Sequence, residues 1–434
     1  MSILIRNANL VLAEKIKKGD LLITGGRIKE IGHGIQVEEG CDIIEAEGKY
    51  VLPGFIDIHN HGAAGFDFSF GKYDLAHDTF DQGESAFRSG LENALQFYYQ
   101  HGVTKVLLTT MAAPLDILEQ AFKQLKEYLE NKYPYYQIIG GINLEGTFLK
   151  DPVYAGAQNP KFFYEVDVGI IEQLQDASGG LLKIVNVPPE HGEPGLKLIE
   201  KLSHDRIIVA GGHTAAYGDE FNAAVDHGLS LSVHFFNGPS RSSSKSFRMG
   251  GAEQIMLKSD KVSLELICDG YHVDPAYVRD AIARKEADRI IMITDSMFAN
   301  GLPHLEKFSL FGLQGAVSSN KKYLQMVNAE DTLFGSVLSS QQGFSNLLNW
   351  FTREITGVWH RNHPALSLDQ SIILASRLAS GNPARLLGIF ENNEEPGTGS
   401  LAPGKAADLI LADIRQDTDV SFEIKKVVVK GQVV

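Results

Sequence analysis

The stretch Val51–Gly62, "VLPGFIDIHNHG", is a short apolar run that ends in two histidines one residue apart. Residues i and i+2 of a strand share a face, so His59 and His61 are expected side by side. Neutral imidazole is a common metal ligand, and such a pair could bind one divalent cation. Taken alone, the pair could equally be polar residues at a loop mouth, because a metal site needs several convergent ligands.

Seven further apolar runs follow, and helical segments such as Leu115–Leu129 and Pro275–Lys285 separate most of them. Runs of this length are typical of parallel strands that are buried on both faces. The alternation predicts an α/β fold, a (β/α)8 TIM-type barrel, with a doubly wound open sheet as the alternative. The predicted barrel strands are Val51–Asp57, Lys105–Thr110, Gln137–Glu145, Leu181–Val187, Arg206–His213, Leu229–Phe236, Val262–Asp269 and Arg289–Asp295.

Both ends of the chain have a different pattern, which is that of short strands and turns. The first fifty residues contain hairpin signals around Gly25-Gly26, and Lys425–Val434 reads "KKVVVKGQVV". We therefore predict a small β-sandwich made of residues 1–50 and 396–434, and a barrel that occupies residues 51–395.

The composition excludes several classes of protein. Among 434 residues, 44% are hydrophobic and 22% charged, as in a soluble globular protein, and the net charge of −14 argues against nucleic acid as a partner. Cys41 and Cys268 are the two cysteines, which suggests no disulfide framework and fits a reducing cytoplasm. No apolar run is long enough for a transmembrane helix, and the N-terminus lacks a signal-peptide core.

Candidate metal ligands stand where the predicted strands end, which is the active-site face of such a barrel. Buried ionisable groups are costly without a cation, so their convergence predicts a metal site. Nitrogen and oxygen donors suit Zn, Fe, Mn, Co or Ni. One pair of histidines could hold one metal and the other pair a second, with the glutamate between them, and occupancy by one cation or two stays open. The candidate ligands are His59, His61, Glu145, His213, His234 and Asp295.

The motifs "PGFIDIHNHG", "LEGTFL", "GGHT", "VHFFN", "CDGYH" and "ITDS" resemble the amidohydrolase superfamily. More narrowly, they resemble the N-acetylglucosamine-6-phosphate deacetylases, in which a glutamate on strand three replaces a carboxylated lysine. The resemblance implies a divalent-metal enzyme, with zinc or iron first, that cleaves the N-acetyl amide of an amino-sugar phosphate in amino-sugar catabolism. It also implies a homodimer. Some resembled enzymes lack the first histidine pair and use one cation, so keeping His59 and His61 favours two.

The resemblance also implies catalytic roles. Asp295 would take the proton of the attacking water and pass it to the leaving amine. His272, in "CDGYH", resembles a histidine that polarises the substrate carbonyl, although a loop histidine without function is the alternative.

Substrate contacts can be carried over position by position. Asn237 and Gly238 match a pair whose amides meet the sugar phosphate, and Arg248 matches an arginine that reaches the phosphate from the neighbouring subunit. Ala157 and Gln158 stand where the resembled family usually has a histidine in second place. The residues that resemble a sugar-pocket segment are Leu333, Phe334 and Gly335.

The departures from the family pattern leave the substrate open. Gln158 replaces an imidazole by a neutral amide, and the segment Ser240–Ser246, "SRSSSKS", could be a flexible loop or a phosphate nest. The leading hypothesis is deacetylation of N-acetylglucosamine 6-phosphate. Its alternatives are the galactosamine epimer, an N-acyl amino acid and, last, a non-catalytic assembly protein.

Overall fold

A sheet of eight parallel strands forms the centre of the protein in the computed structural model, which describes residues 2–238, 240–241, 250–327, 329–359, 362–391 and 395–433. The N–H of Asp295 donates to the carbonyl of His59 at 2.9 Å, which joins the last strand to the first. The (β/α)8 barrel is therefore confirmed, and the open doubly wound sheet is excluded. The barrel strands, β1 to β8, are Phe55–Asn60, Val103–Thr109, Ile139–Leu144, Leu182–Asn186, Ile208–Gly211, Leu229–Ser232, Ser263–Ile267 and Ile290–Ile293.

The helices cover the outside of the barrel with amphipathic faces. In Leu115–Glu130 the buried residues Leu118, Ala121, Phe122 and Leu125 follow the spacing of one helical face. The α-helices are Glu84–Gln100, Leu115–Glu130, Val168–Ser178, Glu193–His204, Gly218–His227, Ala252–Lys258, Pro275–Lys285, Ser340–Phe351, Leu368–Ser376 and Asn382–Leu386. None of the helices in the described parts of the chain is both long and apolar enough to cross a membrane.

The inside of the barrel is a separate apolar cluster. Alternate residues of the strands point inward, as Ile56 and Ile58 do in β1 and Ile291 and Ile293 do in β8. These side chains fill the barrel below the strand ends, so polar groups gather at the C-terminal rim. Glu265 of β7 is a charged residue that departs from this pattern, because it lies on the same strand face as the inward Ile267.

The two ends of the chain combine into one small β-rich unit, as predicted, and the structure shows it as one mixed sheet where a β-sandwich was expected. Its central contact is the antiparallel pairing of Tyr50–Pro53 with Leu409–Gln416. The division into residues 1–50 with 396–434 and 51–395 remains a prediction. The strands are Ser2–Val11, Ile16–Thr24, Arg27–Gly32, Asp42–Glu45, Tyr50–Pro53, Leu409–Gln416, Val420–Val429 and Gln432–Val433.

The first predicted barrel strand, Val51–Asp57, is wrong in detail because it is two strands. Tyr50–Pro53 pairs in the terminal sheet, and the barrel strand begins at Phe55. Gly54 stands between them, where a Cβ atom would lie 2.2 Å from the side chain of Thr104. The chain can pass this close to β2 only without a side chain, which is why a single apolar run serves two sheets.

Two small antiparallel sheets extend beyond the barrel, and neither was predicted from the sequence. The second one reaches the rim, where the N–H of Ser336 donates to the carbonyl of Asp295 at 2.8 Å. The strands of these sheets are Gly62–Ala63, Phe66–Asp67, Gly71–Asp74 and Thr79–Asp81, and Lys307–Leu310, Leu313–Val317, Tyr323–Met326 and Ala329–Ser336.

Candidate metal centre and active site

The structure brings all six predicted ligands together at the C-terminal rim of the barrel. They come from β1 or from the residues that follow β1, β3, β5, β6 and β8. Each is at least 95% buried, so their charges are withdrawn from water. The predicted ligands are His59, His61, Glu145, His213, His234 and Asp295.

Three of these ligands have backbones in the left-handed region, with φ of 50° at His213, 20° at His234 and 49° at Asp295. Such conformations cost energy in residues other than glycine, and they concentrate at functional sites. Hydrogen bonds stabilise the turns, since the N–H groups of Asn237 and Gly238 both donate to the carbonyl of His234 at 2.9 Å. The chain turns sharply at these strand ends and directs the side chains to a common point.

The carboxylate of Glu145 lies between two pairs of histidines. Its Oε1 is 3.1 Å from Nε2 of His234 and 3.5 Å from Nε2 of His213. Its Oε2 is 3.4 Å from Nε2 of His61 and 3.7 Å from Nε2 of His59. One oxygen therefore faces each pair, which is the arrangement expected of a carboxylate between two cation positions.

Asp295 faces the first pair. Its Oδ1 is 3.2 Å from Nε2 of His61 and 3.6 Å from Nε2 of His59. Two groups of three donor atoms, each within 4.8 Å of one another, could hold an ion: His59, Glu145 and His234, and His59, His61 and Asp295.

The spacing of the donor atoms suits a bound cation better than direct hydrogen bonds between these atoms. The Nε2 atoms of His213 and His234 are only 3.2 Å apart, and two imidazole lone pairs at this distance repel unless a proton or a cation lies between them. The Nε2 of His59 is buried and has no hydrogen-bond partner among the described residues. The carbonyl of Tyr154 lies 2.9 Å from Nδ1 of His213, which leaves Nε2 of that ring for the centre.

Electrostatic coupling within the cluster is strong. Burial raises the pKa of Glu145, but the charge of His59 and hydrogen bonds with the His213 and His234 rings outweigh it and hold that pKa well below its usual value. Burial also raises the pKa of Asp295, yet the hydrogen bond with His61 and the charge of His59 bring it to about 2. Both carboxylates are thus ionised at neutral pH and require positive charge beside them, which a metal ion would supply in place of protons.

Glu265 is a residue of the centre that was not predicted from the sequence. Its Oε2 is 2.9 Å from Nδ1 of His59 and also accepts the backbone N–H of His234 at 2.9 Å. Its side chain is completely buried, and its Oε1 has no hydrogen-bond partner among the described residues. The available signal was an acidic residue inside the apolar run "VSLELI", Val262–Ile267, where a buried charge needs a stabilising partner.

A cavity of about 210 Å³ opens above the cluster. The metal-facing side chains form its floor, and Met111, Met297 and Thr332 add walls that were not predicted. Gly238 and His272 do not line this cavity, and Arg248 and most of Ser240–Ser246 lie outside the described residues. The predicted substrate residues that do line it are Ala157, Gln158, Asn237, Leu333, Phe334 and Gly335.

Gln158 is 95% buried, and both ends of its amide are engaged. Its Nε2 donates to Oε2 of Glu145 at 2.9 Å, and its Oε1 accepts the N–H of Ala112 at 2.7 Å. The amide therefore holds the carboxylate of Glu145 through Oε2, the oxygen that also faces His59 and His61. This contact is additional to the predicted one with substrate.

His272 is oriented by a neighbouring carboxylate. Its Nδ1 lies 2.6 Å from Oδ2 of Asp269, while its buried Nε2 has no hydrogen-bond partner in the described part of the chain. Asp269 also accepts the backbone N–H groups of Tyr271 and His272 at 2.8 Å, which fixes the turn. Asn237 links this turn to the cavity, because its side chain donates to the carbonyl of His272 at 3.4 Å.

Gly238 has a steric role beside the cluster. A Cβ atom at this position would lie 3.0 Å from Nδ1 of His234 and 3.0 Å from the carbonyl oxygen of Val233. A larger residue would push the His234 ring, so the position favours glycine independently of any contact with phosphate.

Comparison with known proteins agrees with this architecture. Residues 222–434 match the amidohydrolase family. The chain is 30% identical to an N-acetylglucosamine-6-phosphate deacetylase of Bacillus subtilis, over 98% of this chain and 96% of that one. It is 31% identical to an N-acetylgalactosamine-6-phosphate deacetylase of Escherichia coli, over 86% of this chain and 85% of that one.

A solved structure gives the same result for the whole chain. A variant of the N-acetyl-D-glucosamine-6-phosphate deacetylase of Mycobacterium smegmatis, in complex with N-acetyl-D-glucosamine 6-phosphate, superposes with a TM-score of 0.78 at 26% identity. The match covers 100% of this chain and 98% of that one. The similarity therefore includes the terminal sheet as well as the barrel.

Proposed function

The chain belongs to the amidohydrolase family of metal-dependent hydrolases, and on this basis we propose that it deacetylates an N-acetylated hexosamine 6-phosphate. N-acetylglucosamine 6-phosphate is the leading substrate, and glucosamine 6-phosphate and acetate are the products. The observation that carries the proposal is the rim cluster of four histidines and two carboxylates in a chain whose full-length relatives are deacetylases. A non-catalytic assembly protein would not need this costly buried cluster.

The metal ligands we propose are the six residues of the rim, for one or two divalent cations, with zinc or iron first and manganese, cobalt and nickel as alternatives. When bound, such a cation makes hydroxide available at neutral pH and polarises a carbonyl. His59 and His61 with Asp295 supply donors on one side of Glu145, and His213 with His234 supplies them on the other. Two pairs of imidazoles on either side of one carboxylate favour two cations.

Asp295 acts as the general base and acid in this proposal. It is ionised, because its pKa is lowered to about 2, and it lies in the cavity wall beside His61. It takes a proton from the attacking water and later gives it to the departing amine, so one carboxylate serves both steps. The low pKa makes Asp295 a weak base when it acts alone, and a cation held by the rim residues would supply the acidity that the attacking water needs.

His272 serves as the electrophilic residue. Asp269 accepts a hydrogen bond from its Nδ1–H, which fixes the ring, and a second proton on Nε2 would be the donor to the substrate carbonyl, with the Asp269 carboxylate facing the charge of that imidazolium. His272 does not line the cavity, whereas Asn237, which donates to the His272 carbonyl, does, so contact of the ring with substrate depends on the turn at residues 269–272.

The rest of the cavity suits a small polar substrate with an apolar face. Leu333, Phe334 and Met297 provide the apolar surface, while Asn237 and Gln158 provide amides. Asn237, Gly238 and Arg248 are the proposed phosphate contacts, the last from the partner subunit of a homodimer. A cytoplasmic location is consistent with Cys41 and Cys268 being free thiols.

The galactosamine epimer is the second candidate, because the 31% identical Escherichia coli relative is an N-acetylgalactosamine-6-phosphate deacetylase. The epimers differ in the direction of one hydroxyl group. A cavity with Gln158 in place of the family's histidine offers a different set of donors and acceptors to that group.

Acetate release from both 6-phosphates and from the two unphosphorylated sugars tests the proposal, with metal content measured on the same samples. We expect turnover on at least one phosphate and a loss of at least tenfold without the phosphate. No acetate from any of the four compounds, in protein that contains metal, would refute the deacetylase assignment while leaving the metal centre in place. Light scattering of the purified protein tests the homodimer.

A further inference from the structure

Glu265 stands where a barrel normally has an apolar side chain. It belongs to the inward face of β7, whose next inward residue is Ile267, and the interior cluster around that face is made of aliphatic residues. An ionised carboxylate is costly in such surroundings unless it is paired. The hydrogen bonds that it makes show what it is paired with.

Both bonds are made by the same oxygen. The Oε2 atom meets Nδ1 of His59 and the backbone N–H of His234, each at 2.9 Å. These two groups lie at the ends of β1 and β6, which are on opposite sides of Glu145 in the metal centre. One side chain of β7 therefore sets the position of a ring from one histidine pair and of a backbone from the other.

The contact also fixes the protonation pattern of His59. A carboxylate can only accept a hydrogen bond, so Nδ1 of His59 must carry the proton. In the neutral ring this leaves the lone pair on Nε2, the atom that faces Glu145 and Asp295 at 3.7 and 3.6 Å. Hydrogen bonding of the remote nitrogen to a carboxylate is the usual way in which a metal-binding histidine is oriented and made more basic.

We propose that Glu265 is a positioning residue of the metal centre, which holds His59 in the Nδ1–H tautomer and ties it to the His234 turn. It touches neither substrate nor cation, and it acts through the two ligands that it joins. This inference rests on the proposed metal centre but not on the identity of the substrate.

The test measures metal affinity, for which no substrate is needed. Zinc binding to the wild type and to Glu265→Gln is followed by competition with a chromophoric chelator. The variant keeps the size of the side chain but loses its charge and can present an N–H to His59. We expect the dissociation constant to rise about 10–100-fold, the range usual for such partners of metal ligands. At saturating zinc, kcat should fall while KM changes little, because Glu265 does not contact substrate.

Asp20→Asn is the matched control. Asp20 is also buried, and it also accepts backbone N–H groups, from Asn7 and Ile35 at 3.0 and 3.2 Å, but it lies in the terminal sheet. This variant should have the wild-type zinc affinity, even if it is less stable. A zinc dissociation constant for Glu265→Gln within threefold of the wild type, in protein with a normal melting curve, overturns the inference.

A second measurement covers the case in which Glu265→Gln does not fold. Nitrogen-15 NMR of the histidine-labelled wild type identifies the His59 resonances as those missing from His59→Gln. A proton on Nδ1 of His59, with zinc on Nε2, is the expected signature. A proton on Nε2 contradicts the inference. If the wild type binds zinc but releases no acetate, the substrate proposal fails, whereas the affinity comparison still decides the role of Glu265.

Discussion

Replacing Asp295 by asparagine and by alanine separates its chemical role from its backbone role. The residue has φ of 49°, in the left-handed region that asparagine tolerates and alanine does not. Its N–H and carbonyl are both used, by His59 and Ser336, so the backbone cannot relax without breaking the closure of the barrel. We therefore expect Asp295→Asn to fold as the wild type does. Asp295→Ala should lose about 1 kcal/mol more of the free energy of unfolding than the asparagine variant, through left-handed strain.

The effect on turnover should be large in both variants. A positioned general base or acid contributes about 10²–10⁴-fold, which corresponds to about 2.7–5.4 kcal/mol of transition-state stabilisation. The asparagine side chain cannot take the water proton, and no other carboxylate of the described residues lines the cavity apart from Glu145, which the histidines hold ionised. Both variants should thus lose at least a hundredfold in kcat for acetate release.

The assay combines acetate release, metal content and urea denaturation. Metal content of Asp295→Asn should stay near that of the wild type, because the histidines and Glu145 remain. A kcat within tenfold of the wild type would remove Asp295 from its role as base. If kcat falls as expected but the metal is lost completely, the main role of Asp295 is that of a metal ligand.

Three further predictions concern the surroundings of the centre and the terminal sheet. Gln158→Leu should lower the free energy of unfolding by about 1–3 kcal/mol, because Oε2 of Glu145 and the N–H of Ala112 each lose a hydrogen-bond partner. Urea denaturation measures this, and an unchanged midpoint contradicts it. Removal of metal by a chelator should lower Tm, and excess zinc should restore it, since a ligand at about a hundred times its Kd stabilises by about 2.7 kcal/mol. Burial raises the pKa of Asp20, but hydrogen bonds from Asn7 and other backbone N–H groups outweigh it and lower that pKa below 3.8. The ionised Asp20 carboxylate therefore stabilises the folded state above pH 3.8, and this stabilisation is lost as the pH falls through the lowered pKa. The loss of stability caused by Asp20→Asn should be full at about pH 6 and should shrink below pH 3.8. Melting curves from about pH 6 to about pH 2.5 measure this, and a loss of stability that stays constant over that range contradicts it.

Predictions from the sequence succeeded where one short stretch contains the whole signal. Each barrel strand was predicted from an apolar run, and a candidate ligand such as His213 or His234 can be found because it follows one. Parallel strands all end on the same rim, so the order of residues along the chain is enough to place these side chains together. No distance information is needed for that step.

The features that were missed depend on contacts between distant parts of the chain. Glu265 is 206 residues from His59, and nothing near it in the sequence shows that the two meet. Apart from Ala329–Ser336, the strands of the hairpins at residues 62–81 and 307–336 have only 2 to 5 residues, too few for a clear alternation of apolar and polar residues. The division of Val51–Asp57 into two strands depends on the approach of Thr104 to Gly54, which is again a tertiary contact.

The same geometry bears on the number of cations. The Nε2 of His59 has one lone pair and can ligate one cation, so the two groups of three donors that share this atom cannot both use it. If His59 acts with His61, which lies next to it on the same strand end, the other side is left with His213, His234 and Oε1 of Glu145, at 3.1–3.5 Å from one another. That remainder is itself a complete set of three donors. Each side of Glu145 can thus bind a cation without using a histidine of the other side. This supports the two-cation centre over a single shared ion.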